Sequence, residues 1–137
     1  MATDLVEITE AGTLRLHMHP GQWRAWEATA RWVVVLAGTQ GGKTVFGPHW
    51  LYREIQRGGP GDYLVVTPTF QLLEKKALPA LLQLFDQWLH LGRYTTSPSR
   101  KFVFSPAGAR RIFGSYDPDT PPPSGLATPK TRKAWKA

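Results

Sequence analysis

Chemistry in this sequence is concentrated between Leu36 and Thr44, LAGTQGGKT. The stretch follows the phosphate-loop pattern G-x-x-x-x-G-K-[ST], with Ala37 in place of the first glycine. Gly38, Gly41 and Gly42 allow unusual backbone angles and close approach to an anion. Inward-turned backbone N–H groups would then form an anion nest. Lys43 is placed to reach β- and γ-phosphates, and the Thr44 hydroxyl can serve Mg²⁺. A methyl group at Ala37 is tolerable where the chain enters such a loop. The alternative is a glycine-rich turn whose lysine is only solvated. Upstream, in HPGQ, the Gln22 amide both donates and accepts, so it can read the donor–acceptor edge of adenine. Its alternative is an ordinary surface residue.

A phosphate loop works only between a buried strand and a helix that begins at the loop. Residues 33–36 form a continuous apolar run, mostly β-branched, and predict a strand buried on both faces. Residues 45–57 predict the helix, with Pro48 expected to kink it or delay its start. HPGQ reads as a turn and residues 23–30 as a helix, with Trp23, Trp26 and Ala30 at i, i+3 and i+7. Residues 13–18 alternate as a short strand. Residues 63–68, YLVVTP, predict a second buried strand, and residues 69–92 a helix with Pro79 as a break and Gly92 as its stop. Residues 100–115 predict a hairpin, with strands at 102–104 and 111–113 around a Pro-Ala-Gly turn. A right-handed crossover would make strands 33–36 and 63–67 parallel neighbours. The expected fold is therefore α/β: a P-loop NTPase-type parallel sheet with flanking helices, incomplete, plus a β-hairpin and a disordered basic tail.

The 137-residue length suggests one domain, and 42% hydrophobic content is enough for a core. Residues 1–119 are assigned to that partial domain and residues 120–137, rich in proline and lysine, to the tail. With no cysteine, disulfides and thiolate metal sites are excluded. The four histidines lack metal-ligand spacing. No apolar run reaches the ~18 residues of a membrane span, and the acidic N-terminus lacks a signal sequence, so no membrane partner is expected. Net charge is +7, and all of the excess lies in residues 88–137, with nine Lys/Arg against Asp117 and Asp119. A one-sided basic surface suits a polyanion, and its alternative is a solvated tail. Thr67-Pro68-Thr69, Arg100-Lys101 and Arg110-Arg111 are further candidates for phosphate contacts.

Hydrolysis would require an acid at the end of an apolar strand to hold Mg²⁺, and usually a glutamate to orient water. None is found. Glu54, Glu74 and Asp86 lie in helical patterns, and Asp62, Asp117 and Asp119 in turns.

Taken together, HPGQ followed by a helix, VVVLAGTQGGKT, YLVVTPTFQLLEKKALPAL and RIFGSYDPD resemble the ATPase domain of the large terminase subunit of tailed bacteriophages, over residues 19–125. The resemblance implies ATP and Mg²⁺ as ligands and translocation of double-stranded DNA as the family activity. Portal protein and small terminase subunit would be partners, in the host cytoplasm. It implies adenine contact by Gln22 and phosphate binding by Gly38, Thr39, Gln40, Gly41, Gly42, Lys43 and Thr44. Lys43 would be the catalytic lysine and Thr44 the metal ligand. Thr39 stands where many family loops carry an arginine. SGLATPKTRKAWKA begins like the family segment, then turns basic, without the apolar strand ending in Asp-Glu and without the nuclease domain. The chain thus reads as the front of a terminase, ended early and deficient in hydrolysis. Rival readings are a helicase-like nucleic-acid ATPase fragment and a non-enzymatic basic DNA-binding remnant.

Overall fold

The computed structural model describes residues 5–38, 42–113 and 134–136. It is a mixed α and β structure. Antiparallel strands β1 (Val6–Ile8) and β2 (Leu14–Leu16) come first, with Val6 opposite Leu16. Helix α1 (Pro20–Glu27) follows, then an extended segment over 32–38, then α2 (Lys43–Gly58). Strand β3 (Leu64–Val66) leads into a long helical run. That run comprises α3 (Phe70–Leu72), a π-helical stretch (Leu73–Ala77), α4 (Leu78–Leu82) and a second π-helical stretch (Gln83–Trp88). Strands β4 (Gly92–Thr95) and β5 (Lys101–Phe104) pair antiparallel, and α5 (Pro106–Phe113) and β6 (Ala134–Lys136) complete the order.

The core lies where the far half of α2 meets the long helical run and the β4–β5 pair. Leu51, Ile55, Phe85 and Leu91 are buried there, with Phe102 and Phe104 packed against them. Phe85 is the hub: its ring centroid is 5.8 Å from Phe102, 6.1 Å from Phe104 and 6.2 Å from Tyr52. Each such buried side chain contributes about 1.5–3 kcal/mol. Anchored through Leu51 and Ile55, α2 projects its first turn, with Lys43, away from this core.

Several expectations are corrected. Residues 33–36 form no strand; Trp32, Val34 and Leu36 are 80, 79 and 92% exposed. An apolar run becomes a buried strand only where a sheet receives it, and the described parallel sheet is only the three-residue pairing of β3 with β6. Leu64 and Val66 of β3 are themselves exposed. Pro48 does not delay the start of α2, which runs through it from Lys43 with the ring fully buried. Pro79 does not break the long helix: it lacks an N–H for the carbonyl four residues back, and the run passes it through the wider π turn in which Leu78 N–H donates to Leu73 O.

The end of that helix is His90, not Gly92. His90 takes φ 49° and its N–H donates to Asp86 O at 3.1 Å, an αL closure, while Leu91 N–H donates to Phe85 O at 2.8 Å. Gly92 opens β4 instead.

The hairpin forms with a different partner. Lys101–Phe104 pairs with Gly92–Thr95, and residues 111–113 belong to α5. Ser105 starts that helix, its Oγ accepting from Gly108 N–H at 3.0 Å, with Pro106 as first helical residue.

Part of the tail expected to be disordered, Ala134–Lys136, is β6, with Leu64 opposite Ala134 and Val66 opposite Lys136. An open edge on β3 supplies backbone partners that composition does not report. Residues 120–133 and 137, and with them the rest of the tail expectation, lie outside the described residues.

Candidate functional site

The first turn of α1 is built on His19. Its Nδ1 accepts from Gly21 N–H at 3.1 Å and Gln22 N–H at 3.4 Å, so the ring proton sits on Nε2. In return, Gln22 Oε1 accepts from His19 N–H at 3.1 Å. This is a capping box with histidine in the usual Ser/Thr place. Gln22 is thereby buried, at 7% exposure.

Gln22 meets the loop across the groove between α1 and α2. Gly42, the residue before α2, takes φ 70° and ψ 13°, a left-handed conformation natural to glycine. A Cβ there would stand 2.8 Å from Gln22 Nε2. Both backbone angle and close approach therefore require glycine. The left-handed residue leads directly into the helical N–H groups of α2, the geometry that concentrates positive potential at a helix start. Phe46 N–H donates to Gly42 O at 2.9 Å, closing the first turn. Lys43 Nζ folds back and donates to Ala37 O, tying the two ends of the loop.

These groups enclose a cleft of about 360 Å³. Its walls are His19, Gln22 and Ala25 of the α1 side, residues 33–37, and Lys43 and Phe46 of α2. Trp26 packs edge-on against Phe46 at 6.4 Å, and the Arg53 guanidinium lies 5.0 Å over the Trp26 ring, fixing α1 against α2. Among the described residues no carboxylate lines the cleft. Glu54, buried in α2, lies eleven residues beyond Lys43, about 16 Å along the helix axis, too far to share an ion with Thr44.

Of the residues singled out from sequence, Gln22 and Lys43 line one cleft, Gly42 packs against Gln22, and Thr44 follows on the exposed first turn of α2. Gly38 is exposed, and a Cβ there would meet nothing within 4 Å. Thr39, Gln40 and Gly41 lie outside the described residues. Thr67 and Thr69 do not line the cleft; the Thr67 hydroxyl donates to Thr69 O at 2.8 Å and Thr69 Oγ1 caps α3. Arg100 pairs with Glu74 at 2.8 Å and lies 4.1 Å over the Phe70 ring. Arg111 donates to Leu89 O. Sequence reasoning missed His19 as the cap and Phe46 as a wall. Proline at the first helical position and glutamine two later signal such a helix start. No protein-family model, curated protein or solved structure matches this chain.

Proposed function

We propose that this chain binds a nucleoside triphosphate with Mg²⁺ in the cleft between α1 and α2, in the manner of the terminase large-subunit ATPase domain it resembles, and does not turn it over appreciably. The observation that carries this reading is the convergence of residues twenty positions apart: Gln22 packs on left-handed Gly42, directly before Lys43 and the helix start. Lys43 would exchange the Ala37 carbonyl for β- and γ-phosphate oxygens, and the Thr44 hydroxyl would hold the metal ion, which supplies charge neutralisation when bound. Slow turnover follows from the cleft walls, where no described acid can orient water. In this reading the P-loop NTPase fold is a partial one, DNA is the polyanionic partner of the basic half, and portal protein and small terminase subunit are partners by resemblance, within the host cytoplasm. Among the described residues no helix is long and apolar enough to cross a membrane.

Calorimetry with Mg-ATP tests the reading. Lys43→Ala should weaken binding at least ~10-fold, since a charge-assisted phosphate contact is worth about 1.5–3 kcal/mol. Equal affinity of the two proteins would sink it. Phosphate release at ordinary ATPase rates, lost on Lys43→Ala, would show that a catalytic acid lies elsewhere in the chain.

A further inference from the structure

We propose that two copies of this chain pair antiparallel along residues 32–36, about a two-fold axis at Val34. Trp32, Val34 and Leu36 are 80, 79 and 92% exposed, whereas between them Val33 is half-buried and Val35 44% exposed. Alternate residues of an extended chain share a side, so these three form one apolar strip open to solvent. A Trp side chain alone covers about 150–250 Å². The whole strip is on the order of 400 Å², the size at which an apolar patch marks an interaction site. The backbone is open as well. No N–H or C=O of residues 32–36 makes a backbone hydrogen bond to a described residue, and the run ends at Ala37, whose carbonyl is taken by Lys43. Unpaired backbone carrying apolar, uncharged side chains is a template for another strand. Charge and shape select a second copy as that strand. Centred on Val34, the antiparallel register sets Trp32 opposite Leu36 of the second copy, Leu36 opposite its Trp32, and Val34 opposite its Val34. Arg31, the only charged residue from 28 to 42, then falls opposite Ala37. A parallel pairing in register would set Arg31 against Arg31. Two-fold pairing uses the same edge on both copies and closes at two. Two strips with their flanking backbone bury roughly 1,000 Å² in all, the lower bound for a specific interface, so the dimer is weak, in the micromolar range. Residues 33–36 also wall the cleft, so the pairing holds that wall in place whatever the cleft binds.

Sedimentation velocity of the full chain, from about 1 to 200 µM, tests this, and the mass should pass from monomer to dimer across that range. Val34→Lys sets two ammonium groups face to face at the axis, and Val34→Glu two carboxylates. The side chain is 79% exposed, so both variants keep the fold. Each alone should dimerise at least ~10-fold more weakly than the parent, and an equimolar mixture should recover a dimer holding one copy of each. Such rescue by mixing is not expected from a mere loss of apolar surface. Val66→Lys, on the exposed side of β3, is the control and should leave the dimer unchanged. A monomer at every concentration, as when another segment of the chain covers the strip, overturns the inference. So do assembly beyond two copies, a mixture that stays monomeric, and loss of the dimer in Val66→Lys but not in Val34→Lys.

Discussion

Gly42 shows most directly how one residue shapes the cleft. Its φ of 70° would cost an L-residue about 1–2 kcal/mol, and a side chain would press on Gln22 Nε2, which the capping box holds in place. Gly42→Ala should therefore lose Mg-ATP affinity by ~10-fold. Gly38→Ala is the control: its Cβ meets nothing within 4 Å, so affinity should stay within about 2-fold of the parent. Isothermal titration of both variants decides the matter, and equal losses would mean that Gly42 has no special part in the loop. Lys43 illustrates the same scale from the other side. In the ligand-free chain its ammonium already has a partner, the Ala37 carbonyl, so part of any phosphate contact replaces an existing hydrogen bond.

Elements here are held by their ends. The long helical run stops at His90, a non-glycine residue in the left-handed region. His90→Gly removes that penalty while keeping both closing hydrogen bonds, and should raise stability by about 0.5–1 kcal/mol. A thermal melt several degrees higher is the expected result, and an unchanged melting temperature would show that the closure is unstrained. Helix α5 depends on a close approach instead. A Cβ on Gly108 would lie 1.8 Å from the Leu91 carbonyl oxygen, a backbone atom already bonded by Ser105 N–H at 2.9 Å. Gly108→Ala must lift α5 from the core, at about 3 kcal/mol or more. Urea unfolding would read this as a lower midpoint, and a midpoint matching the parent would mean that α5 is not docked through Gly108.

For the molecule as a whole, acid should act through His49. This ring is buried in α2, 6.4 Å from the Trp88 ring, and burial pushes its pKa down to about 4. The unfolded chain takes up a proton below about 6.5, while the folded chain resists until near 4. Stability is therefore complete above pH 6.5 and falls as pH drops through 6.5 toward 4, by at most about 3 kcal/mol from this group. His49→Phe should flatten the slope of melting temperature between pH 6.5 and 5, a window above the ordinary carboxylate range. The same slope in parent and variant would assign the acid sensitivity elsewhere. Distribution of mass matters too. The core gathers around Phe85 and the C-terminal half of α2, whereas the cleft sits at the opposite end of that helix with an exposed apolar wall at 33–36.

Local signals in the sequence determined the pieces of the site. Gly42-Lys43 before a helical pattern, and HPGQ before another, depend on backbone angles and hydrogen bonds within a few residues; the structure has α2 from Lys43, two residues before the expected start, and α1 over Pro20–Glu27, so that most of HPGQ, read as a turn, is helix and residues 28–30 are not. Leu14–Leu16 and Leu64–Val66 were legible for the same reason, as short alternating or β-branched runs. Partnership was not legible. That residues 33–36 remain exposed, that β5 pairs backward with β4 and not forward with 111–113, and that Ala134–Lys136 lies beside β3 all depend on which edges are open in space. The orientation of Gln22 belongs to the same class. Its residue type permits donation and acceptance, but only the packing of α1 on Gly42 decides which end of the amide faces the loop, because His19 N–H claims the oxygen first.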